Sequence, residues 1–311
     1  MTHAIPMVER PCPVCGSTDE SRVIAEAKFD AGRLDEFAFS SRKTPEYMYH
    51  RLIACPTCDV VYASPLPARD SLVKAYEDAA FDSSEESRCA SRTYGRFLPR
   101  IKKRLRDLVG AIDVGTGDGA FLEQLLAEGF TDVMGIEPSK APIAVSNKTV
   151  RALIRYGPFE AQHLEAGGYS LVTCFQTLEH LSDPLGMCRS TFELLKEGGA
   201  AFFICHNRRA VSTKLLGTRS PIFDIEHLQL FSPTSVKYLL EQGGFCDVEV
   251  QPVWNTYPLH YWFKLFPFPV ILKRRVIVAL KKTGIGYLRC SVPAGNLAAI
   301  GYKRKGKGAR R

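Results

Sequence analysis

The pattern of apolar and polar residues changes period repeatedly along the central part of the chain. A mostly apolar run at 111–114 leads into a glycine-rich turn, and the apolar positions after it, such as Leu122 and Leu125, recur at helical spacing. This order predicts a buried strand that turns sharply into a helix. Short apolar runs and helical patterns continue to alternate up to about residue 250, which predicts an α/β fold with a doubly wound parallel sheet.

The turn itself carries glycines at alternate positions, Gly115, Gly117 and Gly119. Glycine tolerates left-handed torsions and lets a ligand approach the backbone, while the N–H groups at a helix start favour polar or anionic ligand groups. Two cofactor classes use such a turn. One is the dinucleotides such as NAD, whose fingerprint fits if Ala120 fills its last place; the other is S-adenosylmethionine (SAM).

The spacing around the turn is more similar to the second class. Asp113 stands two residues before the first glycine, which gives the D-x-G-x-G-x-G motif of class I SAM-dependent methyltransferases, and Glu137 resembles that family's ribose-binding acid. A polar loop at 176–184 and a helix ended by glycines at 198–199 are similar to later landmarks of the family. The resemblance implies a Rossmann-like class I methyltransferase sheet whose seventh strand is antiparallel. It places five residues at the SAM cofactor: Asp113, Gly115, Gly117, Gly119 and Glu137.

The chain departs from the family's pattern at two places in the expected cofactor pocket. After the third strand many members carry an acid that binds the adenine amino group, whereas this chain has Pro158. We expect Phe159 to stack on adenine, or Glu160 to replace the acid. Some relatives bind a divalent cation through Glu-x-x-Glu-His, but Gln176 takes the first of these positions here. We therefore expect Gln176 to line the methionine end of SAM, and no catalytic metal.

Two histidines are candidates for the general base that removes a hydroxyl proton during methyl transfer. His180 lies in the polar loop, and an imidazole that titrates near neutral pH can accept that proton. A hydrogen bond within the turn would also explain His180. His227 precedes an aromatic residue and a helix predicted at 233–242 with Ser232 as its N-cap, a segment that the family often places on the substrate side. His227 is therefore a base or a substrate contact.

Two C-x-x-C pairs near the N-terminus predict a structural zinc site. Cys12 and Cys15 form the first pair, Cys55 and Cys58 the second, and each two-residue gap lets both thiolates face one Zn²⁺ ion. Apolar alternation at 37–39 and 47–53 predicts strands that bring the pairs together. Disulfides are the competing account, and a cytoplasmic setting disfavours them.

The residues that follow the second pair, 58–67, resemble the end of the N-terminal zinc ribbon of a bacterial subgroup of these methyltransferases, whose members often act in sugar and surface-polysaccharide biosynthesis.

The chain then divides into four parts: a zinc ribbon at 1–67, a helical cap over the cofactor pocket at 68–108, a methyltransferase domain at 109–303, and a basic tail at 304–311. Within the cap, Tyr76 or Tyr94 either closes over the cofactor or packs the helices onto the sheet.

Charge changes this picture at the C-terminus. The net charge is +8, yet residues 250–311 hold thirteen Lys and Arg residues and no Asp or Glu, so the first 249 residues carry 28 basic against 33 acidic groups, a net of −5. Between strands predicted at 246–253 and 296–302 lies an insert at 254–293, with aromatic residues beside a basic cluster. The insert resembles an element that contacts an anionic membrane surface, an acceptor lid, or a helical subdomain that buries its own aromatics.

The sequence also favours a cytoplasmic protein, in peripheral contact with the inner membrane face if the insert binds lipid. No apolar run approaches the roughly 20 residues that span a bilayer. The start of the chain lacks a signal-peptide pattern.

Together these features predict a SAM-dependent methyltransferase that acts on a hydroxyl of a sugar or glycan, linked to a nucleotide or a lipid. An RNA methyltransferase is the alternative, because a zinc ribbon precedes this domain in one group of ribosomal RNA enzymes and the C-terminus is basic. Against RNA, the aromatics and cations of the insert lie in separate blocks. A non-catalytic SAM-binding or zinc-ribbon interaction module is a further alternative.

Overall fold

The computed structural model describes residues 7–19, 22–30, 47–67, 76–77, 79–81, 83–266 and 268–304. Three sequence predictions lie outside these residues: the strand at 37–39, the first part of the helical cap at 68–75, and the basic tail from residue 305 onward.

Strands and helices alternate through most of the described residues. In chain order the strands are β1 Met7–Val8, β2 Arg22–Ala25, β3 Leu52–Ala54, β4 Val61–Ala63, β5 Leu66–Pro67, β6 Val109–Val114, β7 Thr131–Glu137, β8 Ile154–Tyr156, β9 Tyr169–Phe175, β10 Leu195–His206, β11 Gln229–Leu230, β12 Cys246–Pro258 and β13 Arg289–Tyr302. The α-helices are α1 Ser84–Gly95, α2 Leu98–Lys102, α3 Ala120–Ala127, α4 Lys140–Val145, α5 Lys148–Arg151, α6 Pro184–Leu194, α7 Val211–Leu216, α8 Pro233–Gln242, α9 Leu259–Leu265 and α10 Val270–Lys282. Single 3-10 turns lie at Ala161–His163, Leu178–His180, Gly217–Arg219 and Ile285–Tyr287.

A seven-stranded mixed sheet forms the centre of the fold, in the order β12-β13-β10-β9-β6-β7-β8. The strands from β10 to β8 in that order pair in parallel, whereas β13 is antiparallel to both of its neighbours. This arrangement confirms the predicted Rossmann-like, doubly wound sheet with an antiparallel last strand.

Side chains of the central strands alternate between the two faces of this sheet, because successive strand residues point to opposite sides. Ile112 and Val172 pack with α6 and α8 on one face. Ala111 and Phe202 pack with α1 and α3 on the other. Helices therefore cover both faces, and ligand sites in such sheets lie at the carboxyl ends of the strands.

The glycines at 198–199 do not end a helix, contrary to the sequence prediction. Helix α6 already ends at Leu194, and the next residue, Leu195, is extended. Gly198 has φ +81°, inside β10, where the register with β9 shifts between Leu195 and Ala200. The two glycines thus lie at a bulge in a strand, where Gly198 takes the left-handed conformation.

The last two strands run further than the sequence predicted. β12 continues to Pro258 and β13 begins at Arg289, and they remain paired from Asn255↔Val292 to Pro258↔Arg289. The two ends of the expected insert, residues 254–258 and 289–293, therefore form a two-stranded extension of the central sheet. Helices α9 and α10 follow at its tip.

No helix in the described ranges combines the length and apolar character needed to cross a bilayer.

The N-terminal ribbon forms a second sheet, of order β11-β4-β3-β2. Strands β2, β3 and β4 come from the cysteine-containing segment, but β11 comes from the segment after β10. Gln229 and Leu230 pair antiparallel with Tyr62 and Val61. The ribbon sheet is thus completed by a strand from the segment between β10 and α8.

The side chain of Arg10 fastens this junction. Its guanidinium donates hydrogen bonds to the carbonyls of Ala63 at 3.0 Å, Ser182 at 3.0 Å and Leu228 at 2.7 Å, and to Oε1 of Gln229 at 3.1 Å. These acceptors belong to the ribbon, to the polar loop after β9 and to the segment that forms β11. A planar guanidinium with five donors can serve all of them at once, which a lysine ammonium cannot.

We predict that Arg10→Lys lowers the free energy of unfolding by about 2–4 kcal/mol, because several buried carbonyls lose their donor. Urea denaturation measures this loss. The matched control is Arg96→Lys, at an exposed position at the end of α1, for which we expect a change within about 0.5 kcal/mol. Equal stability of the two variants would contradict the role of Arg10.

Candidate active site

The glycine turn lies at the carboxyl end of β6. Gly115 and Gly117 have φ of +72° and +60°, torsions that residues with a side chain rarely adopt. A Cβ at Gly115 would lie 2.3 Å from the Thr177 hydroxyl. A Cβ at Gly117 would meet no described heavy atom within 4 Å. The turn therefore leaves space for a ligand directly against the backbone of Gly117.

Glu137 ends β7 beside this turn. Its Oε2 accepts a hydrogen bond from the Gly117 N–H at 2.8 Å, and its Oε1 accepts one from the Ser139 N–H at 2.9 Å. Burial raises the pKa of Glu137 to about 7, because the carboxylate loses its hydration, and the two N–H donors only partly oppose this shift. The carboxyl group therefore changes charge near neutral pH.

A cavity of about 930 Å³ includes the turn and Glu137 in its wall. Six of the seven residues predicted to bind the cofactor line it: Asp113, Gly115, Gly117, Glu137, Phe159 and Gln176. Gly119 does not line it. This glycine is the N-cap of α3, and a Cβ there would point at Val150 and Ile154. Gly119 therefore allows close packing at the start of α3, and its contact with the cofactor stays a prediction.

Gln176 has an uncommon backbone conformation, with φ +49°. Its N–H donates to the carbonyl of Ile204 at 2.7 Å, and its side-chain Oε1 accepts a hydrogen bond from the Tyr94 hydroxyl at 3.1 Å. Residues other than glycine rarely take this left-handed conformation, and a functional position is a common reason for it. Tyr94, one of the two tyrosines expected near the cofactor, thus orients Gln176.

A cluster of polar side chains lines another part of the cavity. Nδ1 of His180 lies 2.9 Å from the Tyr76 hydroxyl and 3.2 Å from the carbonyl oxygen of Glu226. The Glu226 carboxylate lies 3.7 Å from Nδ1 of His180 and 3.8 Å from Nε2 of His227. The two predicted base candidates therefore share one buried carboxylate. We call Tyr76, His180, Glu226 and His227 the base cluster.

A hydrogen bond to a backbone carbonyl assigns the tautomer of the His227 imidazole. Nδ1 of His227 lies 2.8 Å from the carbonyl oxygen of Ile222, and a carbonyl only accepts, so this nitrogen carries the proton and Nε2 of the neutral ring carries the lone pair. Burial, and then the nearby Glu226 carboxylate, raises the pKa of Tyr76 well above its ordinary value, so its hydroxyl stays protonated. That hydroxyl can donate to Nδ1 of His180 at 2.9 Å or to the carbonyl of Glu226 at 3.2 Å, so the His180 ring can take either tautomer.

A second layer of polar residues supports the base cluster. The carboxyl group of Glu179, buried behind the cavity, accepts a hydrogen bond from the N–H of His206. Burial raises the pKa of Glu179 to about 7. The ring of His206 lies 4.8 Å from that of His227, and its Nδ1 lies 3.0 Å from Oδ1 of Asn296. The contact between His206 in β10 and Asn296 in β13 thus holds the His206 ring beside the His227 ring.

Sequence reasoning did not single out Glu226, His206 or Asn296. The position of Glu226 directly before a candidate base was the available signal. His206 and Asn296 face each other across β10 and β13, a pairing that no local pattern reports. Tyr76, expected either over the cofactor or packed on the sheet, lines the cavity with its hydroxyl 2.9 Å from Nδ1 of His180.

Three members of the base cluster could also hold a metal ion. The ligand atoms of His180, Glu226 and His227 lie within 4.8 Å of one another, and two imidazoles with one carboxylate suit a transition metal. The expectation of no catalytic metal rested on Gln176, which supplies none of these atoms. The structure therefore brings together a donor set that the sequence argument did not weigh.

The four predicted zinc ligands converge in the ribbon. Sγ of Cys12 lies 3.5 Å from that of Cys58, Sγ of Cys15 lies 3.5 Å from that of Cys55, and all four atoms lie within 4.8 Å of one another. Tetrahedral zinc with Zn–S bonds of about 2.3 Å spaces its thiolates about 3.8 Å apart. All ten cysteines lie in the described part of the chain and are free. The cluster could hold zinc, and the disulfide alternative is not what the structure shows.

Comparison with known proteins supports the cofactor assignment. A family model described as a methyltransferase domain matches residues 85–250, which are 166 of the 311 residues. This match includes the glycine turn, Glu137 and the polar loop with His180.

Named relatives are similar over most of their own length. The ubiquinone biosynthesis O-methyltransferase of Aliivibrio fischeri (strain MJ11) is 30% identical over 210 residues, which cover 60% of this chain and 89% of that enzyme. The enzyme of the same name from Vibrio cholerae is 27% identical over 224 residues, which cover 63% and 91%. Among solved structures, the YcgJ protein of Bacillus subtilis is 15% identical with a TM-score of 0.48, over 69% of this chain and 99% of that one.

The family match spans more than half of the chain, and the sheet and glycine turn are those that the sequence resemblance implied. The chain therefore belongs to the class I SAM-dependent methyltransferases, and it is an enzyme of that family.

Proposed function

We propose that this methyltransferase transfers the SAM methyl group to a hydroxyl of a sugar or glycan that is linked to a nucleotide or a lipid. The observation that carries the proposal is the base cluster in the wall of the cavity that also contains Glu137. Two imidazoles share the Glu226 carboxylate there. A hydroxyl needs such a base, because its oxygen becomes a better nucleophile as the proton leaves.

The residues around the glycine turn fit the cofactor. Glu137 would accept the ribose hydroxyls, the backbone at Gly115 and Gly117 would lie against the methionine end, and Phe159 would stack on adenine. Gln176, held by Tyr94, would hydrogen-bond the methionine part. When bound, SAM supplies an activated methyl group on a sulfonium.

In the proposed reaction, this chain's own residues orient the acceptor and move its proton. Nε2 of His227 or His180 takes the hydroxyl proton while the acceptor oxygen forms its bond to the methyl carbon and the carbon–sulfur bond breaks. The products are a methyl ether, S-adenosylhomocysteine (SAH) and an imidazolium. The carboxylate of Glu226 lies close enough to both rings to stabilise that imidazolium.

The cavity lining supports a sugar as the acceptor. Aromatic side chains of the β12 extension and α9 line it, including Tyr257 and Trp262, and such faces pack well on sugar rings. Asp224 and the two asparagines Asn255 and Asn296 line the same cavity. Carboxylate and amide groups can form hydrogen bonds with a ligand that carries several hydroxyls.

The ribbon fits a structural zinc ion held by Cys12, Cys15, Cys55 and Cys58. Four thiolates at tetrahedral spacing leave no open position for a substrate, which is typical of structural sites. We infer that zinc fixes the ribbon, and through β11 the segment that carries Glu226 and His227.

The acceptor class can be tested with methyl-labelled SAM in four separate arms. These contain nucleotide-linked sugars, lipid-linked glycans, phenolic quinone precursors and total RNA. Label in either sugar arm supports the proposal. Label only in the phenolic arm would assign the activity named for the relatives, and label only in RNA would assign the alternative; either result contradicts the sugar proposal.

With the acceptor identified, we predict that at least one of His180→Ala and His227→Ala lowers kcat by about 10²–10⁴, the usual contribution of a general base. SAH affinity should stay within about threefold, because neither ring belongs to the glycine turn. The control His163→Ala removes a half-exposed imidazole that pairs with Glu160. If both base-cluster variants retained the activity of this control, the base assignment would be wrong.

We predict that SAH binds more tightly as the pH rises from 6 to 8. The pKa of Glu137 is raised to about 7, so its proton must leave before the carboxylate can accept hydrogen bonds from ribose. The ionised fraction rises from about one tenth to about nine tenths over this range, so Kd should fall about tenfold. Calorimetric titration measures this change, and Glu137→Gln should bind more weakly with a flat pH profile. An equal pH dependence in both proteins would show that another group is responsible.

A further inference from the structure

Helix α10 carries a regular arrangement of apolar and cationic side chains. Ile271 and Val278 are seven residues apart and so lie along one line of the helix. Arg274 and Lys281 form a second line with the same spacing, and Arg275 and Lys282 form a third on the opposite flank. Helical geometry of about 100° per residue therefore places an apolar line between two cationic lines. The helix contains no Asp or Glu.

This face of α10 is directed away from the rest of the protein. Ile271 is 71% exposed and Val278 is 46% exposed. None of the described side chains in α10 is buried, in contrast to α3 or α8, which each bury one face against the sheet. Exposed branched apolar residues on a helix that does not use them for packing indicate an interaction surface.

Further exposed apolar residues connect α10 to the mouth of the catalytic cavity. Leu215 on α7 is 81% exposed and Phe266, after α9, is 51% exposed, yet both line the cavity. Phe268 stacks on Phe266 with ring centroids 5.7 Å apart and leads directly into α10. We call Leu215, Phe266, Phe268 and the exposed face of α10 the mouth surface.

We propose that the mouth surface docks on an anionic phospholipid bilayer, so that the catalytic cavity opens toward the lipid headgroups. Ile271, Val278 and the phenylalanines would enter the boundary between headgroups and acyl chains, while the flanking cations contact phosphates. Charge complementarity selects this partner, because four exposed cations accompany the apolar line without any acid. A nucleic acid would use the same cations but would leave the apolar line without a role.

This inference rests on the proposed function, since it explains how a lipid-linked acceptor would reach the base cluster. The two can nevertheless fail separately. Vesicle binding needs no methyl acceptor, and turnover of a water-soluble nucleotide-linked sugar needs no vesicle.

The test is co-sedimentation of the full-length protein with vesicles at about 0.15 M salt, where screening still leaves contact charges effective. One set contains phosphatidylcholine only, and the other also contains phosphatidylglycerol. The wild-type protein should partition onto the anionic set. Each cation near an anionic surface contributes roughly fivefold to partitioning, so Arg274→Glu with Lys281→Glu should reduce it at least about 25-fold.

Two further variants separate lipid docking from net charge and from misfolding. Lys148→Glu with Lys237→Glu changes the net charge equally at exposed positions of α5 and α8 and should leave partitioning within about threefold. Ile271→Asp with Val278→Asp should also abolish docking, through the apolar line. Unchanged SAH affinity in all variants shows that they are folded.

Three results would overturn the proposal. They are absence of wild-type binding to anionic vesicles, equal binding to both vesicle sets, or an equal loss in the α5 and α8 control. Salt-sensitive binding to poly-uridine RNA that the Arg274 and Lys281 substitutions abolish, without vesicle binding, would assign the surface to nucleic acid instead.

Discussion

The antiparallel pairing of β11 with β4, stabilised by Arg10, is the contact on which the geometry of the base cluster depends. Glu226 and His227 lie on a segment that has only two residues of strand, Gln229 and Leu230. Alone, two residues cannot hold a segment in place. Joined to the ribbon sheet and to the Arg10 guanidinium, the segment is fixed against the polar loop that carries His180. The N-terminal ribbon is therefore part of the framework that holds the base cluster, although it lies far from the glycine turn in sequence.

The site also contains two carboxyl groups, those of Glu137 and Glu179, whose burial disfavours the ionised form. Burial raises the pKa of both Glu137 and Glu179 to about 7. Each is retained in place by backbone N–H donors, Gly117 and Ser139 for Glu137 and His206 for Glu179. Gln176, in the same site, has a left-handed backbone conformation. Buried ionisable groups and left-handed backbone both cost free energy of folding. They are typical of functional sites, where the surrounding structure holds them in place.

Sequence reasoning succeeded where the signal is local. The order of strands and helices, the glycine turn and the cysteine pairs all follow from residues a few positions apart, and the structure confirms the sheet and gathers the four thiols. It failed for Gly198, because a glycine pair after a helical pattern indicates a helix end as readily as a strand bulge. It also missed the strand extension beyond Val253, since pairing with β13 and not local pattern sets that end.

The base cluster could be predicted only in part. His180 and His227 stand out as histidines in polar loops, but their shared contact with Glu226 joins segments 46 residues apart. The Tyr76 hydroxyl reaches His180 over 104 residues. Contacts at such separation depend on the ribbon, the sheet and the loops being assembled together, and one sequence contains no direct record of them.

The central proposal is that a zinc ion bound by the four ribbon cysteines holds the segment of Glu226 and His227 in place. Hydrogen–deuterium exchange with mass spectrometry, on the protein purified with zinc and again after chelation, tests this claim most directly. We predict that zinc removal accelerates exchange in residues 222–230 together with the ribbon strands, while residues 109–137 and the affinity for SAH change little. Acceleration confined to residues 7–67, with 222–230 still protected, would contradict the account.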